Sequence, residues 1–229
     1  MIVPSEALDK VAGMPRYTAA GVADEYRKGR YAVVMVNAEG GPSGGDWRVD
    51  EYKTVEDYGR KLRVAVPSKV LNIYLGSGED CPDAFRMGVG FRLADDRPIY
   101  PVGIGYIKGI EHPSYFFDWF NKIELNEGEP RIEGFNRAVN DVLKNGDERF
   151  KALIGQIDEN VKEECYDWGA IVCCTHDVVM MSYLAAHTKY ARFKEGDWPG
   201  YLDGIVVFFD RITGECTGCG LLPKKFVME

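Results

Sequence analysis

Short apolar runs rich in β-branched and aromatic residues recur along this chain, and most of them lead into a helical pattern. Such runs are typical of strands buried on both faces of a parallel sheet. The runs are Tyr31–Val36, Lys69–Gly76, Trp168–Thr175 and Tyr201–Asp210. Strands that alternate with helices predict a mostly parallel sheet, because parallel strands need long crossover connections. We therefore predict an α/β fold with three layers, α/β/α.

The end of the sequence predicts an antiparallel hairpin at one edge of that sheet. The run Tyr201–Asp210 is followed by Arg-Ile-Thr-Gly and then by a second strand pattern, 215–222. Cys216 and Cys219 form a CxxC within it, and side chains three apart in a regular strand point to opposite faces. A zinc site needs four ligands, and the chain has no second CxxC or histidine pair. We predict neither a metal nor a redox role for these cysteines.

Length and pattern favour one domain over residues 1–229. The chain has 229 residues, of which 45% are apolar, enough for one large α/β domain. Residues 1–30 are predicted as an N-terminal helical extension, with a helix over 5–29. Residues 95–165 are predicted as a helical layer or cap. Further helices are predicted over 54–66, 81–94, 113–125, 129–146 and 148–164, with short strands within 98–113.

The charge balance excludes some classes of partner. Lys and Arg number 28 and Asp and Glu 36, so the net charge is −8, which argues against nucleic-acid binding because phosphate backbones are held by basic residues. No apolar run reaches the roughly 18 residues of a membrane span. The sequence begins without the basic and apolar segments of a signal peptide. We therefore expect a cytoplasmic protein with reduced cysteines.

His176 and Asp177 stand side by side in AIVCCTHDVVMMSYLAAH, after a predicted strand and at the start of a helix. Ligands bind α/β sheets at the carboxyl ends of the strands, and imidazole titrates near neutral pH. The pair therefore suits a functional site. Asp177 is equally suited to cap the helix, so both interpretations stay open.

Other chemical features of the sequence favour plain structural roles. The glycine-rich stretch 40–45 has Asp46 and Trp47 where a phosphate loop needs Lys and Ser or Thr, so it is predicted as an ordinary loop. His112 and His187 are predicted as surface or packing histidines. A group of aromatic residues is predicted as core: Phe116, Phe117 and Trp119.

The order of elements from Tyr31 onward resembles the histidine phosphatase (phosphoglycerate-mutase-like) superfamily. The C-terminal half of the superfamily's acid-phosphatase-like branch is similar to three consecutive features here: Thr175–Asp177, the apolar helix that follows, and WPGYLDGIVVFF. IYLGSGEDCPDAF is similar to its second segment, Arg-Cys-x-x-Thr-Ala, and VVMVNAEGG stands where its first strand ends in Arg-His-Gly-Glu. The resemblance implies a phosphorylated histidine nucleophile, a cationic phosphate pocket and an acidic proton donor. It also implies that His176 is the second histidine of that pocket and Asp177 the proton donor.

The sequence departs from that pattern at its most important positions. The first motif reads Val36–Glu39, or with a one-residue shift 37–40, and neither alignment holds a histidine or an arginine. Asp80 stands where the second arginine belongs, while Cys81 matches the family's cysteine. Phosphoryl transfer depends on cationic stabilisation, whereas carboxylates ~4 Å apart repel by about 4 kcal/mol at an effective dielectric of 20. Cys81 is the nearest alternative nucleophile, but a thiol among carboxylates is sluggish.

These departures predict a pseudoenzyme that binds a small molecule or a protein partner. The residues predicted to bind the ligand are Asn37, Glu39, Asp80, Cys81 and His176. The alternative is a hydrolase with altered chemistry, metal-assisted or acid–base, that uses His176 and Asp177 with Glu39 and Asp80, or a residual phosphatase. We expect no organic cofactor and no resident metal, and a homo-oligomer is left open.

Overall fold

The computed structural model describes residues 14–37, 49–65, 72–75, 87, 90, 104–105, 114–168, 170–188 and 192–228. Within these ranges the chain has a mixed α/β structure, as predicted. Its elements in chain order are α1 (Ala19–Arg27), β1 (Arg30–Asn37), α2 (Val49–Ala65), β2 (Asn72–Leu75), β3 (Ile104–Gly105), α3 (Ser114–Asn121), α4 (Arg131–Asn145), α5 (Glu148–Trp168), β4 (Ala170–Thr175), α6 (Asp177–Thr188), a short 3₁₀ turn (Glu195–Asp197), β5 (Gly204–Asp210), β6 (Cys216–Leu222) and α7 (Lys224–Met228).

The described strands form one mixed sheet in the order β3-β2-β4-β1-β5-β6. β4 pairs in parallel with both β1 and β2, and β2 pairs in parallel with β3. β5 runs antiparallel to β1 and to β6. The antiparallel hairpin predicted for the end of the chain is therefore present, with β6 at the end of the strand order.

The two faces of β1 contribute to two separate apolar clusters, and residues 31 to 37 of this strand are all buried. Tyr31, Val33 and Met35 belong to the first cluster, which includes residues of α3, α4, α5 and α6. The alternating residues of the same strand belong to the second, with residues of α1, α2 and α7. Each fully buried valine or methionine side chain contributes about 1.5–3 kcal/mol, which explains why the near-continuous apolar run forms a central strand.

The N-terminal part of the fold differs from the prediction of one helix over 5–29. Residues 5–13 lie outside the described part, and the helix of the described part begins only at Ala19. Thr18 ends the extended segment, since its hydroxyl accepts the Gly21 N–H at 3.0 Å, the usual contact of an N-cap. Before it, Tyr17 donates its N–H to the carbonyl of Leu221 at 2.8 Å. The segment before Thr18 is therefore extended and pairs with β6, and it is not part of a helix.

The prediction that Cys216 and Cys219 point to opposite faces is wrong, because β6 contains a bulge. Phe209 lies opposite Cys216 and Val207 lies opposite Cys219, with a register shift between positions 208 and 209. One extra residue in a strand reverses the alternation of side chains beyond it. Both cysteines therefore pack against the first apolar cluster.

The middle of the chain agrees with the predicted helices over 113–125, 129–146 and 148–164, which correspond to α3, α4 and α5. α4 is followed by Gly146, whose φ of 79° places it in the left-handed region that favours glycine. The predicted helix over 81–94 lies mostly outside the described residues, where only Met87 and Gly90 are described, both helical. No helix of the described ranges is both long and apolar enough to cross a membrane.

Candidate functional site

Three residues singled out by the sequence lie at the carboxyl end of the sheet. Asn37 ends β1 and pairs with Thr175, the last residue of the parallel strand β4. His176 and Asp177 follow Thr175 directly, and Asp177 begins α6. The sequence resemblance places the ends of β1 and β4 in one pocket, and these two strands are neighbours in the sheet.

Asn37 is buried, with 4% of its surface exposed. Its side-chain amide donates to the Pro199 carbonyl at 3.0 Å. Its backbone N–H donates to the Asp203 carbonyl and its carbonyl accepts the Leu202 N–H, both at 2.9 Å. Three hydrogen bonds from one residue therefore hold the segment 199–203 against the end of β1.

Asp177 is the first helical residue of α6, not its cap. The carbonyl of His176 accepts the Met180 N–H at 3.0 Å, so His176 is the residue that flanks the helix. Oδ1 of Asp177 accepts the N–H of Val178 at 2.6 Å, and Oδ2 accepts the indole N–H of Trp198 at 2.6 Å. The positive end of the helix dipole also favours a carboxylate here.

His176 packs edge-on against an aromatic side chain of α3. The ring of Phe117 lies 4.9 Å from its imidazole, centroid to centroid, at an interplanar angle of 75°. His176 and Asp177 are both partly exposed, while Nδ1 of His176 is buried. Phe117 is partly buried against the first apolar cluster, in agreement with its predicted core role.

A cavity of about 340 Å³ lies beside Asp177, at the small end of the roughly 300–1,000 Å³ typical of ligand pockets. Phe120 and Trp198 stack in its wall, with centroids 5.6 Å apart and planes at 27°. The guanidinium of Arg131 lies 4.1 Å over the Phe120 ring. The cavity therefore combines aromatic walls with both signs of charge. The described residues that line it are Phe120, Pro130, Arg131, Ile132, Asp177, Glu195 and Trp198.

The short 3₁₀ turn holds Trp198 in this wall. Asp197, which is 5% exposed, follows Glu195 in the turn and accepts the backbone N–H of Lys194 at 2.9 Å. Its other oxygen pairs with the guanidinium of Arg16 at 3.0 Å. The N-terminal segment and the turn are thus joined immediately before the tryptophan that contacts Asp177.

Sequence reasoning missed Arg131, Glu195 and Trp198 as members of a site. Trp198 lies in the stretch WPGY, which by itself does not predict a pocket, and nothing in the sequence indicates that a helix start at 131 faces a helix start at 177. Three predicted site residues, Glu39, Asp80 and Cys81, lie outside the described residues, as does the stretch 40–45. Among the residues that the structure describes, no group of three or more His, Cys, Asp or Glu side chains could hold a metal ion.

Comparison with known proteins gives distant likenesses to solved structures. No family model matches the chain and no curated protein matches it. YhfR of Bacillus stearothermophilus is similar in structure, with 13% identity over 82% of this chain and 94% of that chain and a TM-score of 0.35. A mycobacterial glucosyl-3-phosphoglycerate phosphatase is similar with 10% identity over 84% of this chain and 97% of that chain, and a TM-score of 0.38. The likenesses extend over most of each chain but are remote in sequence and in superposition.

Proposed function

We propose that this chain is a single, three-layer histidine-phosphatase-like domain that has lost phosphoryl transfer and binds a small uncharged or cationic molecule at the carboxyl end of its sheet. The proposal starts from the sequence resemblance. It is supported by the adjacency of Asn37 and Thr175, because the resemblance requires the ends of these two strands to share one pocket.

The environment of Asn37 is the observation that best supports the proposed loss of phosphoryl transfer. In one alignment of the first motif, this residue stands where the resemblance implies the nucleophilic histidine. An amide is neither basic nor nucleophilic, and this one is buried and donates to the Pro199 carbonyl. Asn37 therefore serves as a structural contact, and no proton acceptor or nucleophile replaces the histidine at that position.

The cavity beside Asp177 supports the proposed class of ligand. Two carboxylates, Asp177 and Glu195, face one guanidinium, that of Arg131, among its described lining residues. Arg131 also donates to the Phe120 carbonyl at 2.7 Å, which occupies part of its donor capacity. A compact aromatic body with a neutral or positive group fits the stacked rings and this charge balance better than a phosphate dianion does.

Hydrolysis of an aryl phosphate between pH 4 and 8 tests the loss of activity. We expect the same background rate from the wild type and from His176→Ala, because the histidine nucleophile that His176 would support is replaced by the buried amide of Asn37. Turnover by the wild type that disappears in His176→Ala would overturn the proposal and restore a working phosphatase.

A thermal-shift experiment with two probes of matched size tests the ligand class. Benzylamine is expected to raise the melting temperature, whereas phenyl phosphate is not. Asp177→Asn should abolish the effect of benzylamine, and Asp141→Asn on the exposed side of α4 is the matched control that should keep it. Stabilisation by phenyl phosphate alone would contradict the proposed ligand, and stabilisation by Mn²⁺ would favour the metal-assisted hydrolase instead.

A further inference from the structure

A second cluster of reactive side chains lies at the other end of α6, away from the strand ends. His187 stands in the last turn of that helix, with Nε2 3.1 Å from Oδ1 of Asp158. The hydroxyl of Tyr183 donates to the same carboxylate oxygen at 2.7 Å. His187 is therefore part of a hydrogen-bonded chain, whereas the sequence predicted only a surface or packing role.

The β6 bulge brings the two cysteines of the CxxC motif to this cluster. His187 packs edge-on against Phe209, with ring centroids 5.2 Å apart, and Phe209 lies opposite Cys216 in the sheet. Cys216 and Cys219 pack against the same apolar cluster as His187's neighbour Phe209, and Sγ of Cys216 lies 3.7 Å from the carbonyl oxygen of Gly218. Cys216 and Cys219 are partly exposed, whereas Cys173 and Cys174 are buried. The pair is thus the accessible thiol site of the described residues.

The electrostatics of the cluster make the two thiols unequal. Burial lowers the pKa of His187, but hydrogen bonds to Asp158 and Cys216 outweigh it and raise the pKa to about 9. The hydrogen bond from Cys219 and the contact with His187 lower the pKa of Cys216, while the same thiol–thiol contact and burial raise that of Cys219. These shifts favour the thiolate form of Cys216 and the protonated form of His187, and they favour the thiol form of Cys219.

We propose that Cys216 and Cys219 are a dithiol that exchanges with small disulfides of the glutathione class, in which Cys216 is the attacking sulfur, His187 is its cationic partner and Asp158 is a positioning residue. This site is separate from the cavity beside Asp177, so the inference does not depend on the proposed ligand-binding function.

The exchange is balanced without any further reactant. The thiolate of Cys216 attacks one sulfur of the small disulfide, a mixed disulfide forms, and the first small thiolate leaves with the proton held by His187. Cys219 then loses its proton to solvent and attacks the sulfur of Cys216, which expels the second small thiolate. The protein dithiol is oxidised to a disulfide, and the small disulfide is reduced to two thiols.

The spacing of Cys216 and Cys219 permits a disulfide between them. Cys216 and Cys219 lie opposite residues 209 and 207, two positions apart on β5, which corresponds to about 6.6 Å along a strand. Protein disulfides span about 4.4–6.8 Å between Cα atoms, so this one closes at the upper limit of that range.

The test treats the reduced, full-length protein with oxidised glutathione, followed by alkylation in denaturant and trypsin digestion. The tryptic peptide Ile212–Lys224 contains both cysteines and no other. We expect it to become two hydrogen atoms lighter and unreactive to the alkylating reagent. In Cys219→Ser the reaction should stop at a glutathione adduct on Cys216. In Cys216→Ser, Cys219 should stay free. An adduct on Cys219 in preference to Cys216, or unmodified peptide in wild type, would overturn the proposal.

Two substitutions test the roles of the neighbours. His187→Gln should slow adduct formation in the Cys219→Ser background at least about tenfold at pH 7. Asp158→Asn should move the pH profile of that reaction to higher pH, a change that a purely structural carboxylate would not cause, while Asp141→Asn should leave the profile in place. Rates and profiles equal to those of the parent in both variants would remove His187 and Asp158 from the mechanism. If either variant fails to fold, the pH profile of Cys216 in the Cys219→Ser protein decides, because an ordinary thiol reacts only as the pH approaches about 8.5.

Discussion

The indole N–H of Trp198 donates a hydrogen bond of 2.6 Å to Oδ2 of Asp177. This contact joins the first residue of α6 to the segment that follows the 3₁₀ turn, 21 positions later in the chain. It also fixes the aromatic wall of the cavity relative to the end of β4. The candidate site is therefore assembled by a long-range polar contact as well as by the sheet.

Removal of this hydrogen bond should destabilise the protein by about 1–2 kcal/mol, which lies between the net contribution of a typical hydrogen bond and that of one to a charged group. Trp198→Phe deletes the N–H donor but keeps a ring to stack on Phe120. Combined with Asp177→Ala in a double-mutant cycle, it should show a coupling energy of about 1 kcal/mol in urea unfolding.

The matched cycle for this prediction uses Trp119→Phe with Asp177→Ala. Trp119 contacts Phe135 and Phe150 by its ring edges, so its effect should add to that of Asp177→Ala. Equal coupling energies in the two cycles would show that the Trp198 contact has no specific energetic role.

Asn37→Asp should destabilise the fold by about 1–3 kcal/mol, because a buried oxygen would then face the Pro199 carbonyl without a proton between them. The control is Asn160→Asp, since the Asn160 amide also donates to a backbone carbonyl, that of Gln156 at 2.6 Å, but at the surface of α5. Urea unfolding at pH 7 should show a small change for the control. Similar losses for both variants would contradict the structural role assigned to Asn37.

The local pattern of the sequence was sufficient to predict much of the sheet. Tyr31–Val36 and Trp168–Thr175 contain nearly all of β1 and β4, because strands buried on both faces are apolar at nearly every position. The hairpin of β5 and β6 was predicted correctly from the turn at 211–214. These features depend on a few consecutive residues, so a single sequence contains them.

Features that depend on residues distant in the chain were not predicted. The extra residue in β6 leaves no signature in the sequence pattern. Because of it, Cys216 and Cys219, which the pattern predicts on opposite faces, both pack on the face of His187. The contact between Arg16 and Asp197 and the bond between Trp198 and Asp177 likewise join segments with no periodic relation. For this reason the strand-end position of Asn37, His176 and Asp177 could be predicted, whereas the cavity beside Asp177 could not.

Two glycines in different surroundings give a paired prediction of stability. A Cβ at Gly204, between β1 and β6, would lie 2.9 Å from the Met35 carbonyl oxygen, whereas a Cβ at Gly155 in α5 would meet no heavy atom within 4 Å. Gly204→Ala should therefore cost about 1–3 kcal/mol through overpacking. Gly155→Ala should stabilise the protein by about 0.5–1 kcal/mol, because alanine favours helix. Urea unfolding of the two variants should give shifts of opposite sign, and shifts of the same sign would contradict the packing around Gly204.

The His187 cluster predicts an unusual dependence of stability on pH. The pKa of His187 is raised to about 9 in the folded state, whereas that of a histidine in the unfolded chain is about 6.5. The stabilisation that protonated His187 gives the fold is therefore fully present below about pH 6.5 and is lost as the pH rises through 9. The lowered pKa of Cys216 acts in the opposite sense: its contribution is present above the ordinary thiol value of about 8.5 and is lost as the pH falls through the lowered one. Between about pH 6.5 and 8.5 the pair binds one proton in both states, on His187 in the folded state and on Cys216 in the unfolded state. The free energy of unfolding of the wild type should therefore change little with pH in this range.

Cys216→Ser should expose the contribution of the histidine alone. The groups that still face His187 are Asp158, which supports the imidazolium, and the neutral rings of Tyr183 and Phe209. The free energy of unfolding of this variant should fall by about 1–3 kcal/mol between pH 6.5 and 9, whereas that of the wild type stays nearly level. Urea unfolding at four pH values checks this, with Cys216→Ser/His187→Gln as the control that should again be level. Parallel curves for wild type and Cys216→Ser would mean that Cys216 and His187 do not share a proton in the folded state.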